Sequence, residues 1–355
     1  MQAFDFHGTA RHAGQAHGET FRHRIHELAS IRLELTLGRT DFGSIDEIIE
    51  LGAKHTAVLR KYSEPLYEEF CGLAEGAQIG AGELVVLNHY TDLRDLSRQT
   101  LYDDQGCSAV FIPGEPPVLG QTWDMHGSAS PFVEAMRFDI EGTPRCITFS
   151  LTGCLGMAGI NEHGVAVTIN NLNTPSQTLG ILWPALVRMM LTCTTAGQAR
   201  TLLERIGVGS GHHYQLADRC NFFGVEALAG QQKTIAHWRL GETGTLTYPR
   251  AACHTNHCLD TEQALREVLS PESTTFVRWN ALEELLSQGH VDANPQSLWD
   301  VLSDSRLSMP ISDAEPHRSA TCGGLVFDWT QDQPMMRTCR GPLTGQAGVE
   351  LCVSR

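Results

Sequence analysis

The sequence lacks the features that mark several large classes of protein. No apolar run approaches the roughly 20 residues that a membrane-spanning helix needs. The N-terminus, Met1-Gln-Ala-Phe-Asp-Phe-His-Gly8, has no basic patch followed by an apolar stretch, as a secretory signal would. Runs of Lys and Arg are also missing, and the net charge is -15. We therefore expect no membrane contact, no nucleic-acid partner and residence in the cytoplasm.

Signature motifs of other chemistries are missing as well. There is no Gly-x-Ser-x-Gly, the sharp turn that presents a serine nucleophile. Gly207-Val-Gly-Ser-Gly211 lacks the Lys-Ser/Thr of a phosphate-binding loop and is interpreted as a helix-to-strand connection. Two cysteines and two histidines crowd into Cys253-His-Thr-Asn-His-Cys258, but structural zinc sites space their paired ligands more widely. We expect neither a metal nor another cofactor.

The composition is typical of a folded globular chain. Of the 355 residues, 41% are hydrophobic and 19% are charged, and the length suits one large domain or two ordinary ones. The 11 cysteines are odd in number and show no repeated spacing. We expect most of them to be reduced, buried thiols.

Helical and strand-type patterns are grouped along the chain. Apolar residues recur every three to four positions over residues 20–62, which predicts helices, and Ser44 is suited to begin one. After Gly106, the runs 108–112 and 118–124 flank a Pro-rich turn and predict a hairpin. Helices are also predicted over 182–206 and 272–302, and strands over 133–140, 146–151, 157–160, 165–170, 222–227 and 233–240. A terminal hairpin is predicted from the runs 324–329 and 335–339. This grouping predicts an α+β domain with antiparallel sheets.

Cys107 follows Gly106 well inside the chain, after the polar segment Asp103-Asp-Gln-Gly106. If the Gly106–Cys107 bond is cut, the new α-amino group lies on the same residue as the thiol. An α-amino group has a pKa of about 8, so it can accept the thiol proton near neutral pH. The thiol itself could make the cut by attacking the Gly106 carbonyl. The alternative interpretation is that Cys107 is only a small buried residue of the core, as most cysteines are.

Several motifs, in order and with characteristic spacing, decide between these interpretations. With them the chain resembles, over nearly its whole length, the acyl-coenzyme A:aminopenicillanic acid (isopenicillin N) acyltransferases, a branch of the N-terminal nucleophile hydrolases. The motifs are Gly14-Gln-Ala-His-Gly18, Glu83-Leu-Val-Val-Leu-Asn88, Asp104-Gln-Gly-Cys-Ser108, Gly120-Gln-Thr-Trp-Asp124, Gly159-Ile-Asn-Glu-His-Gly-Val-Ala-Val167, Asn170-Asn-Leu172, His254-Thr-Asn-His-Cys-Leu259 and His317-Arg-Ser-Ala-Thr321.

The resemblance implies a fold and a set of roles. The fold is an αββα sandwich, in which two antiparallel sheets are flanked by helices. Cys107 matches the nucleophile and the cleavage site, Asp124 the acid at the end of a strand, Asn256 the oxyanion-hole amide, and Arg318 a catalytic guanidinium. Cleavage would give a helical α chain, 1–106, and a β chain, 107–355, held as a heterodimer in one folded unit. Further association into a homo-oligomer is left open.

Two enzymatic functions and one non-enzymatic function fit these residues. We expect hydrolysis of a small N-acyl amide through an acyl-enzyme, because water is always available and nothing marks a site for the phosphates of coenzyme A. Transfer of the acyl group from a thioester or amide to an amine is the alternative. An unprocessed binding protein is the second alternative. Near the nucleophile, Trp123, Met125, His126 and Phe132 are predicted to bind the acyl group.

Overall fold

The N-terminal part of the chain is helical, as its sequence predicts. In the computed structural model, which describes residues 1–98, 106–176, 178–242, 244–248, 250–287 and 291–354, the chain begins with strand β1 and continues into five helices. These elements are β1 Ala3–Gly8, α1 Ala10–Arg39, α2 Ile45–Tyr62, α3 Glu64–Ala77, α4 Ala81–Asn88 and α5 Tyr90–Asp95. The predicted polar residues 103–105 before the cleavage site lie outside the described part.

Side-chain caps set the starts of these helices. The Thr9, Ser44 and Ser63 side chains accept hydrogen bonds from backbone N–H groups in the first turns of α1, α2 and α3. The helix start predicted at Ser44 is therefore confirmed. In the described part no single helix is long and apolar enough to cross a membrane; α3 and α4 reach that length and composition only as a pair, which is bent by 110°.

Glycines let α1 and α3 pack with their backbones in contact. A Cβ atom built on Gly14 would lie 2.0 Å from the Glu69 carbonyl oxygen, and one on Gly18 would lie 2.4 Å from the Leu73 carbonyl oxygen. Real Cβ atoms do not approach a carbonyl oxygen so closely, so only glycine fits either position. This close packing explains why glycine stands at both ends of the motif 14–18.

The larger sheet has eight strands. Every neighbouring pair is antiparallel except β1 and β4, which run parallel. The order across the sheet is β1, β4 Val133–Ile140, β5 Cys146–Leu151, β6 Ala158–Asn161, β7 Ala166–Leu172, β8 Gly211–Ala217, β9 Asn221–Leu228 and β10 Gln231–Arg239. Between β7 and β8 the chain forms two further helices, α6 Trp183–Met190 and α7 Ala196–Arg205.

The second sheet has six antiparallel strands and faces the first. Its order is β11 Ala252–His254, β2 Cys107–Ile112, β3 Val118–His126, β12 Ser319–Asp328, β13 Met335–Arg340 and β14 Val349–Cys352. The rings of Phe111 and Phe222, one from each sheet, stack with 4.0 Å between centroids. Helices α8 Thr275–Ser287 and α9 Pro295–Leu302 pack against the outer face of this sheet.

The predicted αββα sandwich is therefore confirmed. Two mostly antiparallel sheets pack face to face, with α1, α6 and α7 beside the larger sheet and α8 and α9 over the smaller one. The predicted nucleophile, Cys107, is the first residue of strand β2 in the smaller sheet. This strand faces β7 of the larger sheet. Residues from both sheets and from α8 can therefore converge on Cys107.

Candidate active site

Cys107 is buried, and its backbone is held on both sides. Its N–H donates to Oδ1 of Asn256 at 2.7 Å. Its carbonyl oxygen accepts from Nη1 of Arg278 at 2.6 Å and from Nδ2 of Asn170 at 3.1 Å. The arrangement joins β2, β7, the loop after β11 and helix α8 at one residue.

Gly106 is fixed just as closely, and no larger residue fits in its place. Its carbonyl oxygen accepts a 2.7 Å hydrogen bond from the backbone N–H of Asp124. A Cβ atom at Gly106 would lie 2.1 Å from Nη2 of Arg278 and 2.6 Å from Oδ1 of Asn256. The peptide group predicted to be cut thus has its carbonyl and its N–H bound to separate elements.

Asp124 lies on β3 with its carboxylate buried in the same cluster. Oδ1 accepts a 2.6 Å hydrogen bond from the Thr321 hydroxyl of β12, while none of the described residues donates to Oδ2. Burial raises the pKa of this carboxyl to about 6, against the opposing effects of Arg278 and Thr321. Asp124 therefore exchanges its proton within reach of neutral pH.

The thiol of Cys107 is not activated by its surroundings as they stand. Burial, with Asp124 acting in the same direction, raises its pKa to about 12; the Asp124 N–H and Arg278 oppose this shift. Because the thiolate is the nucleophilic form, the site needs a base placed directly at the sulfur.

Asn256 joins the cluster, but its amide is oriented differently from the prediction. Oδ1 faces Cys107 and also accepts a 2.9 Å hydrogen bond from Nη2 of Arg278. Nδ2 donates to the Asn171 carbonyl at 2.9 Å. The backbone N–H of Asn256 is fixed by the Thr275 hydroxyl of α8 at 2.9 Å.

The guanidinium of the site comes from Arg278, not from Arg318. The side chain of Arg318 is 73% exposed and pairs with Glu315 at 3.4 Å, on the loop before β12. Arg278 is 1% exposed and contacts Cys107 and Asn256 directly. The placement predicted for Arg318 is corrected on this ground. Sequence reasoning missed Arg278, since no motif surrounds it and its contact with Cys107 spans 171 positions.

A narrow cavity of about 30 Å³ opens beside Cys107, with walls that are mostly apolar. Two of the predicted acyl-binding residues, Trp123 and Met125, line it. The other lining residues are Thr91, Gly106, Cys107, Asp124, Ile169, Asn171, Trp183, His212 and Asn256. Five of these, Thr91, Ile169, Asn171, Trp183 and His212, were not predicted.

The other two residues predicted to bind the acyl group, His126 and Phe132, do not line this cavity. His126 ends β3, one residue beyond Met125, and its Nδ1 is 2.8 Å from the Ser128 hydroxyl. The His126 ring lies instead beside Tyr90, with 5.8 Å between the ring centroids. Phe132 is buried in the core beneath the Arg24 guanidinium, 5.9 Å from the ring centroid. Both predictions are corrected.

The histidines of the segment 253–258 are engaged within the protein. Nε2 of His254 lies 2.9 Å from Oε1 of Glu226, and Nδ1 of His257 lies 3.1 Å from the Thr255 hydroxyl. Among the described residues, no group of three or more His, Cys, Asp or Glu side chains is arranged to hold a metal ion.

Comparison with known proteins identifies relatives. The model of the acyl-coenzyme A:6-aminopenicillanic acid acyl-transferase family matches residues 112–314, more than half of the chain. The match begins downstream of Cys107. The 40 kDa form of acyl-coenzyme A:6-aminopenicillanic-acid-acyltransferase from Emericella nidulans is 25% identical over 328 residues, covering 90% of this chain and 88% of that protein.

Two solved structures also match. The penicillin V acylase from Agrobacterium tumefaciens is 14% identical with a TM-score of 0.37, covering 69% of this chain and 90% of that one. The Caenorhabditis elegans ortholog of N-acylethanolamine-hydrolyzing acid amidase is 16% identical with a TM-score of 0.39, covering 62% of this chain and 92% of that one.

Proposed function

Because the chain belongs to the acyl-coenzyme A:6-aminopenicillanic acid acyl-transferase family, named for acyl transfer, we propose that it forms an acyl-enzyme and is a self-processing cysteine amidohydrolase. Cys107 is the nucleophile, and the substrate is a small N-acyl amide. The observation that carries this proposal is the hold on the Gly106–Cys107 peptide group, whose carbonyl binds the Asp124 N–H and whose N–H binds Asn256.

The first step is the cut itself. The Cys107 sulfur attacks the Gly106 carbonyl carbon, and the Asp124 N–H, 2.7 Å from that oxygen, stabilises the negative charge that develops there. The open Oδ2 of Asp124 accepts the thiol proton and passes it to the departing nitrogen. The carbon–nitrogen bond breaks and leaves a thioester, which water hydrolyses to a Gly106 carboxylate and a free Cys107 thiol.

The new amino group of Cys107 then serves as the base for turnover. Asn256 Oδ1 already lies 2.7 Å from this nitrogen and keeps it in place. The amine takes the thiol proton, the thiolate attacks the substrate carbonyl, and the amine returns the proton to the leaving nitrogen. The Asp124 N–H, vacated by Gly106, stabilises the oxyanion, and water releases the acid.

Contacts between the two products support a heterodimer after cleavage. The buried carboxylate of Glu69 in the segment 1–106 pairs with Arg188 in the segment 107–355 at 2.8 Å. Asn88 donates to the Gly153 carbonyl at 2.8 Å and accepts from the Leu155 N–H at 2.9 Å. These buried polar contacts, with the packed core around them, hold the α chain in the fold.

Hydrolysis is favoured over transfer by the lining of the cavity. Neither a lysine nor an arginine stands among the described residues that line it, so nothing there would bind the phosphates of coenzyme A. The mostly apolar lining suits the hydrocarbon part of an acyl group instead. Acyl transfer to an amine remains the second function, because the same acyl-enzyme would serve it.

Two measurements test the proposal. Intact mass should show two species, the larger beginning at Cys107, and N-acyl amines should release free acid. The variant Cys107→Ala should stay full length and inactive, while Cys220→Ala, which removes an exposed thiol, should behave as wild type. A single full-length species in an active preparation would contradict the amine mechanism. Amide formation from acyl-coenzyme A exceeding acid release would assign acyl transfer instead.

A further inference from the structure

The loop that carries Asn256 is bound at both of its ends by one carboxylate outside the catalytic cluster. Glu226 lies on β9 and is fully buried. Its Oε1 is 2.9 Å from Nε2 of His254, before Asn256, and accepts from the Leu259 N–H at 2.5 Å. Its Oε2 accepts from the Asp260 N–H at 3.1 Å. The segment 254–260 therefore bends around Glu226.

His254 and Glu226 form a buried hydrogen-bonded pair. Nδ1 of His254 lies 2.7 Å from the Thr255 carbonyl oxygen, which can only accept, so Nδ1 carries a proton. Nε2 faces Glu226, whose two oxygens also accept backbone N–H groups. This pair lies directly beside Asn256 in the chain.

The same pair is connected to the other side of Cys107. The His213 ring stacks on His254 with 3.7 Å between centroids. Burial and the neighbouring His254 lower the pKa of His213 well below its usual value, so His213 is neutral. Its Nδ1 is 3.1 Å from Oδ1 of Asn170, whose Nδ2 donates to the carbonyls of Cys107 and His254.

We propose that Glu226 is a positioning residue that sets where Asn256 stands relative to the Cys107 nitrogen. The expected loss of kcat rests on the proposed function. The expected release of the loop 254–260 does not. In Glu226→Gln the side-chain amide has one accepting oxygen in place of two. Its NH2 group cannot accept the hydrogen bond that a backbone N–H of the loop donates to the second oxygen of Glu226. One end of the loop 254–260 is then released, while no group that touches substrate is altered.

The experiment compares Glu226→Gln with Glu134→Gln. Glu134 is also a buried carboxylate, but it pairs with Arg24 and Arg340 far from this loop in the fold. Hydrogen exchange of the backbone amides, the extent of self-cleavage, and kcat and KM for an N-acyl amide are measured on each full-length protein. In Glu226→Gln we expect faster exchange confined to 254–260, at least a tenfold loss of kcat and a KM within twofold of wild type. Glu134→Gln should keep the wild-type kcat and the wild-type exchange in 254–260.

Two results for Glu226→Gln would contradict the proposed positioning role. Wild-type exchange in 254–260 of Glu226→Gln would overturn it, and so would equal losses of kcat in the two variants. If Glu226→Gln does not fold, His254→Ala removes the contact at one end of the same loop, and a wild-type kcat there would overturn the proposal. If the wild-type protein cleaves no amide, the proposed function fails, while the exchange measurement still decides whether Glu226 holds the loop.

Discussion

Replacing Gly106 with alanine tests the proposed self-cleavage most directly. The added Cβ would lie 2.1 Å from Nη2 of Arg278, about 0.9 Å inside the closest separation that real Cβ atoms show, so the guanidinium has to move. Arg278 is buried and makes a 2.6 Å hydrogen bond to the Cys107 carbonyl and a 2.9 Å hydrogen bond to Asn256. Moving it therefore disturbs both partners.

The size of the effect follows from these two bonds. A buried hydrogen bond to a charged group contributes about 1.5–3 kcal/mol, so losing both costs about 3 kcal/mol at the low end. If that loss falls on the transition state for cleavage, the rate drops roughly 100-fold. A displacement of about 1 Å at reacting groups has a similar effect.

The assay is the fraction of full-length protein against time after purification, followed by intact mass. Gly38→Ala is the matched control, since a Cβ at Gly38 of helix α1 meets nothing within 4 Å. We expect Gly106→Ala to remain largely full length over the time in which wild type and Gly38→Ala are cleaved. Cleavage of Gly106→Ala at the wild-type rate would refute the reasoning from Arg278.

Three further predictions concern buried charged residues. Arg278→Lys should slow both cleavage and turnover at least tenfold, because an ammonium cannot bind Cys107 and Asn256 together, whereas the exposed Arg318→Ala should match wild type in both assays. Asp124 has its pKa raised to about 6 and is protonated below that pH, so self-cleavage should slow as the pH falls through 6, and Asp124→Asn should be slow at every pH. Glu69→Gln leaves the buried Arg188 without its carboxylate and should lower the free energy of unfolding by about 3–5 kcal/mol in denaturant titrations.

The parts of the fold that the sequence predicts are those with local signals. The hairpin of β2 and β3 has a turn rich in proline between two apolar runs, and β12 and β13 are two strand-type runs joined by a short polar connection. Strand β8, Gly211–Ala217, was not predicted, because His212, His213 and Gln215 hide its pattern although every residue in it is buried. The side chains of His213 and Gln215 bond to partners distant in sequence, Asn170 and the Ala252 carbonyl.

The same distinction holds for the site. Cys107, Asp124 and Asn256 lie within recognisable motifs, and the fold brings them together. Arg278 lies on an ordinary helix, and only the packing of α8 against β11 brings it to Cys107. The error at His126 has a local cause, since residues adjacent on β3 were assigned to one pocket, although the His126 ring contacts Ser128 outside it.

The raised pKa of the Cys107 thiol explains why the proposed turnover needs the amino group that self-cleavage would release. Before the cut, the base in the proposed mechanism is Asp124, whose pKa of about 6 lies far below that of the thiol, so proton transfer to it is unfavourable. In that mechanism the intact chain meets this cost only once. After the proposed cut, the amine of Cys107 is a stronger base than a carboxylate, and its positive charge stabilises the thiolate. In the proposed mechanism, the burial that raises the pKa of the Cys107 thiol in the intact chain therefore makes turnover depend on cleavage.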